Sequence, residues 1–482
     1  MPRHRVSPLV VTFIFKRLPL LPVAWPLPLV GALLALAGCA GYHARPLTPA
    51  AVEAALATPD FAAVRLAAGS LRHPLLAPVM LDPREGFTPD ELAVVAVVVS
   101  PQLRALRDQR GVVQAQVVQA GLLPNPQLNY SLDHPTGNAD PTLVTGSALG
   151  LSAELTALLG RRDRVAGARA TAGALDLDIA WQEWQVAQDV RLRAYRVLSL
   201  GQRLPLARAL EADLAENTAA LRTALGHHLA TAAEITDATL AWRQAQTARV
   251  TLEQTQAEDE AALRLALHLP PDAPLPLKAA VEPPAPPGPD ATPAAWLEGL
   301  ETRRLDLVAL RLGYESQEAG VRAAVKAQFP KISLGLTQAS DTSNVRTRGV
   351  GLTIDLPLFD RNQAGIASAE ATRAQLFDDY VARVAEARSE VTQLLARRVQ
   401  VRARRDAGAV ALPDLERFAA GAERALANHV IDAATARAAR SAWVEQRSEQ
   451  LRLQQDLFEL NVALEIAAGR PSLGHPATVS LP

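Results

Sequence analysis

Markers recur along this chain at a constant spacing of 201 residues. Leu225 recurs as Leu426, Trp242 as Trp443, Leu263 as Leu464 and Pro270 as Pro471, and Glu154-Leu155 recurs as Asp355-Leu356. Leu123-Pro124-Asn125-Pro126 corresponds to Gln328-Phe329-Pro330 after a small local shift. One match means little, but a shared offset over widely spaced positions marks a duplication. The halves are residues 88–270 and 294–470. Between them, 271–293 is dense in proline, which helix cannot traverse, so it reads as a connector. Residues 39–87 read as an N-terminal tether and 471–482 as a short tail.

Each half reads as helix, two strands, long helix, long helix. The first helix is expected over 89–122, with Thr88 and Asp90 as candidate caps and Pro124 and Pro126 as its stop. The apolar period then changes to two. Leu128, Tyr130 and Leu132 alternate with Asn129, Ser131 and Asp133, and Leu149, Leu151, Ala153 and Leu155 alternate with Gly150, Ser152 and Glu154. The second half repeats this with Ile332, Leu334 and Leu336, then Val350, Leu352, Ile354 and Leu356. Strands are thus expected near 127–134, 147–155, 331–338 and 348–356, each with one apolar and one polar or bare face. Helical hairpins are expected over 162–268 and 362–468. A helix of about 64 residues reaches about 95 Å, beyond the width of a compact domain of this mass. Stripes such as Leu453, Leu457, Leu460 and Leu464 mark helices packed side by side. Pro205 and Pro413 are expected to kink the outgoing arms.

Composition agrees with this picture. Aromatic residues are only 4% of the chain, and alanine is abundant. Alanine favours helix and lets helices approach closely. With 49 basic and 50 acidic residues, the net charge is -1, which argues against a nucleic-acid partner.

The N-terminus reads as a targeting segment. Arg3, Arg5, Lys16 and Arg17 precede an apolar stretch from Leu18 to Ala37, which ends at Leu36-Ala37-Gly38-Cys39. Residues 1–38 read as a signal peptide resembling that of bacterial lipoproteins. That resemblance implies cleavage before Cys39, the only cysteine in the chain, and lipidation of its sulfur. The alternative is a proline-rich membrane anchor. A single cysteine excludes an intrachain disulfide.

Four alternating strands pose a closure problem. In an outer membrane the apolar faces would meet lipid and the polar faces line a lumen. A barrel must close, because unpaired backbone groups cannot face lipid. Four strands cannot close alone; two copies would bring eight and three would bring twelve. The competing reading is a four-stranded sheet in a soluble α+β protein.

The layout, from about residue 88 to 470, resembles the TolC-like outer membrane factors, exit ducts of tripartite efflux pumps. The resemblance rests on Ala120-Gly121-Leu122-Leu123-Pro124-Asn125-Pro126, leading into the first strand. It rests also on Asp355-Leu356-Pro357-Leu358-Phe359-Asp360-Arg361-Asn362-Gln363, leaving the fourth. The second run, with Glu154-Leu155 and Leu159-Gly160-Arg161-Arg162, looks like the cobalt–zinc–cadmium branch. The resemblance implies a mainly α chain with a transmembrane β-barrel portion, in two repeats of strands and long helical hairpins. It implies a homotrimer with a twelve-stranded barrel in outer-membrane lipid and a helical tube across the periplasm. A periplasmic adaptor and an inner-membrane pump would dock at the far end. Heavy-metal cations are the expected cargo, with drugs or other small molecules as the alternative. A lipid-anchored periplasmic helical scaffold or adaptor protein without a pore is the alternative function.

The turns between long helices are the expected periplasmic tip: Leu225-Gly226-His227-His228-Leu229 and Ala427-Asn428-His429-Val430-Ile431-Asp432. Gly226 and Asn428 suit a reversal because both tolerate left-handed backbone angles. Family members often place acidic residues near this tip, where a charged ring can narrow and select a pore. Asp432 is the candidate, with Glu234 and Asp237 further along the other hairpin; its competing role is an ordinary helix-start carboxylate. His227, His228 and His429 read as solvated turn residues rather than a metal site, since they define no coordination geometry. No cofactor and no enzyme activity are expected. Gly349-Val350-Gly351 lies inside a strand and lacks the helix a phosphate loop needs, and no nucleophile–base constellation stands out.

Overall fold

The computed structural model describes residues 41–57, 60–82, 84, 86–137, 142–275, 277–278 and 293–470. The signal segment 1–38, the lipidation candidate Cys39, most of the connector and the tail 471–482 lie outside them. The chain divides into two units, Met1–Ala57 and Thr58–Pro482. In the first, α1 (Pro49–Leu56) starts at Thr48, whose hydroxyl accepts the Ala51 amide at 3.2 Å.

The second unit carries the duplication. It begins with α2 (Phe61–Gly69), α3 (Pro89–Val99) and α4 (Pro101–Gly121), followed by strands β1 (Gln127–Asp133) and β2 (Gly146–Glu154). The hairpin α5 (Ala157–Gly226) and α6 (Ala232–Ala266) completes the first half. The second half has two short helices, α7 (Pro293–Leu297) and α8 (Leu300–Arg303), then α9 (Leu305–Lys326) and strands β3 (Lys331–Ser340) and β4 (Arg346–Asp355). It ends in the hairpin α10 (Gln363–Ala427) and α11 (Ala433–Ala468). The ends of the long arms keep the spacing seen in sequence: Ala232 and Ala433 open the return helices, and Glu154 and Asp355 close the second strand of each pair.

The helix expected over 89–122 is two helices. Pro101 has no N–H for a continuing helix, and its ring disfavours helical angles at the residue before it. Ser100 therefore ends α3 and caps α4, accepting the Leu103 amide at 3.3 Å. Thr88 caps α3 through a reciprocal box with Glu91. Asp90 is not a cap; it reaches Arg191 on α5 at 2.6 Å. Pro205 and Pro413 lie inside α5 and α10, and neither ends its helix. At 70 residues, α5 extends about 105 Å.

Burial concentrates where the arms return. Leu263 near the end of α6 is fully buried with Leu92, Val94 and Val190, while its repeat partner Leu464 on α11 is fully buried with Leu300, Leu307 and Val391. The duplication thus places one leucine at the same structural joint twice. The beginning of the connector joins the first cluster through Leu275 and Leu277, and the Lys278 amide donates to the Phe87 carbonyl at 2.9 Å. Toward the tip, the contact surface is alanine: Ala422 meets Ala436 and Ala439. Small side chains at such a seam let helices approach closely.

Candidate functional site

The four strands form one antiparallel sheet in the order β1-β2-β3-β4, with β1 and β4 as its edges. Register decides what each face carries. Leu128, Leu151, Leu336 and Val350 form one row across the sheet, and Ala153, Leu334 and Leu352 form another on the same face. The opposite face carries the row Asn129, Gly150, Thr337 and Gly349, and then Gln127, Ser152, Gly335 and Gly351. Period-two alternation in each strand thus becomes one oily wall and one small, polar wall. The oily wall is open: Leu128 is 70% exposed and Val350 75%. A sheet in a water-soluble core would bury this face. Large apolar side chains are also exposed where strands meet helices, with Leu358 at 68% and Phe359 at 94%.

Seven to ten residues per strand span about 23–33 Å, enough to cross a hydrocarbon layer. No helix among the described residues is long and apolar enough to cross a membrane.

Both tips reverse by the same device. The Leu229 amide donates to the Ala224 carbonyl at 2.8 Å and the His228 amide to the Leu225 carbonyl at 2.9 Å. In the second hairpin, Val430 donates to Ala425 at 2.8 Å and His429 to Leu426 at 2.9 Å. These paired bonds are Schellman closures, which need one residue in the left-handed region. That residue is His228 (φ 57°) in one tip and His429 (φ 56°) in the other. The expectation that Gly226 and Asn428 take this angle is corrected: Gly226 is the last helical residue, and Asn428 has φ -91°. The closure counts residues from the helix end, so the position follows hydrogen-bond geometry rather than the most permissive residue. His227 caps α5 with φ -102°.

Asp432 caps α11, accepting the Thr435 amide at 2.7 Å. Hydrogen bonds from the Thr435 hydroxyl and amide hold its carboxyl below the usual range, so it carries charge at neutral pH. At the equivalent position Thr231 caps α6, in a box with Glu234. Asp237 lies exposed one turn on. Among the described residues, no group of three or more His, Cys, Asp or Glu side chains is placed to hold a metal ion.

Ion networks that sequence spacing does not reveal tie the arms together. Arg191 on α5 pairs with Glu465 on α11 at 2.9 Å, and its guanidinium lies over the Phe458 ring. Its Nε is also 2.6 Å from Asp90, a close ion pair not aligned as a hydrogen bond. Burial pushes the Glu465 carboxyl up to about 7 despite Arg191. In the second half, buried Arg304 donates to Asp306 at 2.9 Å and to the Ala467 carbonyl at 3.1 Å. His73 anchors the segment after α2. Its Nδ1 accepts the Leu75 and Leu76 amides at 3.0 Å, and its Nε2 lies 2.9 Å from the Ala180 carbonyl.

Residues 296–470 match the outer membrane efflux protein family. That match covers the second repeat. The fold is found again in solved structures. CusC, whose structures describe folding and transmembrane channel formation, is 18% identical with a TM-score of 0.63, covering 84% of this chain and 99% of that one. The outer membrane protein VceC of Vibrio cholerae is 17% identical with a TM-score of 0.61, covering 80% and 96%. The MtrE outer membrane channel of Neisseria gonorrhoeae in its open state is 19% identical with a TM-score of 0.63, covering 83% and 93%. No curated protein matches the chain by sequence. The fold is accordingly mainly α with a β-barrel portion, four strands and long helical hairpins per chain in two repeats.

Proposed function

We propose that this chain is one subunit of an outer-membrane efflux channel, the passive exit duct of a tripartite pump. The observation that carries the reading is the sheet: an exposed apolar face, a glycine- and serine-lined opposite face, and two edges without strand partners among the described residues. Three copies close it as a twelve-stranded barrel in outer-membrane lipid, with the helical hairpins reaching into the periplasm. A periplasmic adaptor and an inner-membrane pump complete the path, and the energy enters at that pump, so this chain performs no chemistry. Cys39 carries the lipid. The run Asp355–Gln363 and the Gly160-Arg161-Arg162 run near the start of α5 favour heavy-metal cations as cargo. At the tips, Asp432, His429, Asn428, Gly226 and His227 line the narrow end, with Asp432 supplying the charge.

Purified, detergent-solubilised protein fused into a planar bilayer tests this directly. The reading expects heat-modifiable trimers and ohmic, salt-dependent conductance. A stable, non-conducting monomer that needs no detergent refutes it. Release of all protein from membranes on Cys39→Ser favours the pore-free scaffold instead. For the cargo, the deletion strain is expected to lose growth on cobalt, zinc or cadmium; sensitivity confined to organic drugs refutes the metal assignment.

A further inference from the structure

The oily face of the sheet carries charge in one place. Counting outward from its apolar centre, the row Leu128, Leu151, Leu336 and Val350 is followed by Tyr130, Leu149, Gln338 and Arg348, and then by Leu132, Ser147, Ser340 and Arg346. Two residues along a strand is about 6.6 Å, so the first arginine stands about that far beyond the last wholly apolar row. Both arginines are exposed. Neither has a hydrogen-bonded or ion-paired partner among the described residues. Within the four strands no carboxylate shares their face: Asp133, Glu154 and Asp355 all stand on the opposite one, in register with Gly146, Ser333 and Lys331 respectively. Asp341, in the adjoining hairpin, turns its carboxylate onto the Ser343 and Val345 amides, both at 2.9 Å. Closing the barrel would lay a neighbour's β1 beside β4, and the outward residues of β1 are Leu128, Tyr130 and Leu132, again without an acid.

We propose that Arg346 and Arg348, on a shelf with Tyr130, Gln338 and Ser340, bind phosphate groups of the anionic glycolipid in the outer leaflet. The proposal rests on the channel reading, which turns this face to lipid and places the β3–β4 hairpin, opposite the helical arms, on the outer side. A guanidinium at hydrocarbon depth is costly, and its long stem lets it reach the headgroup layer. There the forked donors of arginine match phosphate oxygens in a bidentate way that a lysine does not. Adjacent hydroxyl and amide groups supply further donors without competing charge. Basic residues at a membrane surface draw anionic headgroups at about fivefold in affinity per residue.

The test measures lipid binding to purified trimers by native mass spectrometry. The probes are diphosphorylated lipid A, the same lipid with its phosphates removed, phosphatidylglycerol and inorganic phosphate. Diphosphorylated lipid A is expected to bind about thirtyfold more tightly than its phosphate-free form, and Arg346→Gln/Arg348→Gln to remove that advantage while trimers and conductance persist. Arg346→Lys/Arg348→Lys is expected to restore part of it. Equal binding of the two lipid A forms by unaltered protein overturns the proposal, and this comparison needs no variant. So does wild-type affinity in the glutamine variant, phosphatidylglycerol binding as tightly as lipid A, or full displacement by inorganic phosphate. Absence of trimers or conductance in unaltered protein instead sinks the channel reading.

Discussion

The most discriminating perturbation compares two glycines at helix ends. Gly469 follows α11 with φ +61°, and its amide and that of Arg470 close the helix on Ile466 and Glu465 at 3.1 and 2.9 Å. A Cβ added there would lie 2.8 Å from the Arg304 Cα and 3.0 Å from the Arg304 N. Those are backbone atoms, so no side-chain rotation relieves the contact. Gly469→Ala costs about 1 kcal/mol for the left-handed angle alone. Backing Arg304 away strains its bonds to Asp306 and Ala467, adding about 2 kcal/mol or more. Gly226 is the opposite case: no atom lies within 4 Å of the added Cβ, and its φ is not left-handed. Gly226→Ala is expected to stabilise by about 0.5–1 kcal/mol through helix propensity. Guanidinium unfolding of detergent-solubilised protein, followed by circular dichroism at 222 nm, reads the difference as midpoints moving in opposite directions. Because the proposed oligomer would unfold irreversibly, unfolding rates at fixed denaturant serve as the second readout. A Gly469→Ala protein within about 1 kcal/mol of wild type, or a Gly226→Ala protein losing that much, refutes the reasoning.

The two sheet faces predict opposite tolerances. Leu336→Arg is expected to block membrane insertion at a cost of about 2–4 kcal/mol, whereas Thr337→Arg inserts and lowers single-channel conductance; equal effects at these neighbours would dismiss the face assignment. Asp432→Asn keeps an oxygen for the Thr435 amide, so helix content should hold while cation selectivity falls; unchanged selectivity leaves Asp432 a cap alone. Stability should also respond to Glu465. Its folded pKa of about 7 exceeds the ordinary 4.5, so its contribution is complete below about 4.5 and is lost as pH rises through about 7. A flat midpoint between pH 5 and 8, or the same slope in Glu465→Gln, would contradict this. Burial lowers the His73 pKa below 6.5, so its anchoring is complete above that value and is lost on acidification through the lowered pKa. Hydrogen exchange at the Leu75 and Leu76 amides should accelerate in that range, and unaltered protection would count against it.

How much of this was legible in sequence varies with the range of the interaction. Strand alternation is local, and all four strands fall within about two residues of their expected bounds. The arms are legible because duplication repeats their ends, as with Ala232 and Ala433. The break at Ser100 is not, because the apolar run Leu92–Val99 continues to Leu103 and hides a proline that ends one helix by beginning the next. His228 and His429 escape for another reason. The residue that turns is set by the 6→1 and 5→2 bonds of the closure, so the glycine two places earlier misleads. Arg191, Arg304 and His73 look like ordinary solvated residues until α5, α11 and the segment after α2 are brought together. Their partners lie 274, 163 and 107 residues away, and no spacing rule spans that distance.

The sheet's open edges constrain how such a chain can enter a membrane at all. In an antiparallel strand, alternate residues turn both N–H and C=O outward. About five residues of β4 and about three of β1 therefore present unpaired groups, roughly sixteen in all. In hydrocarbon each costs several kcal/mol. The apolar face does not offset that total, because it gains only about 1.5–3 kcal/mol for each of about a dozen side chains. A lone sheet thus gains little by inserting, and association in water leaves the oily wall exposed. Pairing β4 with a neighbour's β1 removes the edge cost while keeping the apolar gain. On the proposed channel reading, insertion and closure are therefore one coupled event, and the energetic reason for assembly lies in two unpaired strands rather than in the helices that make up most of the chain.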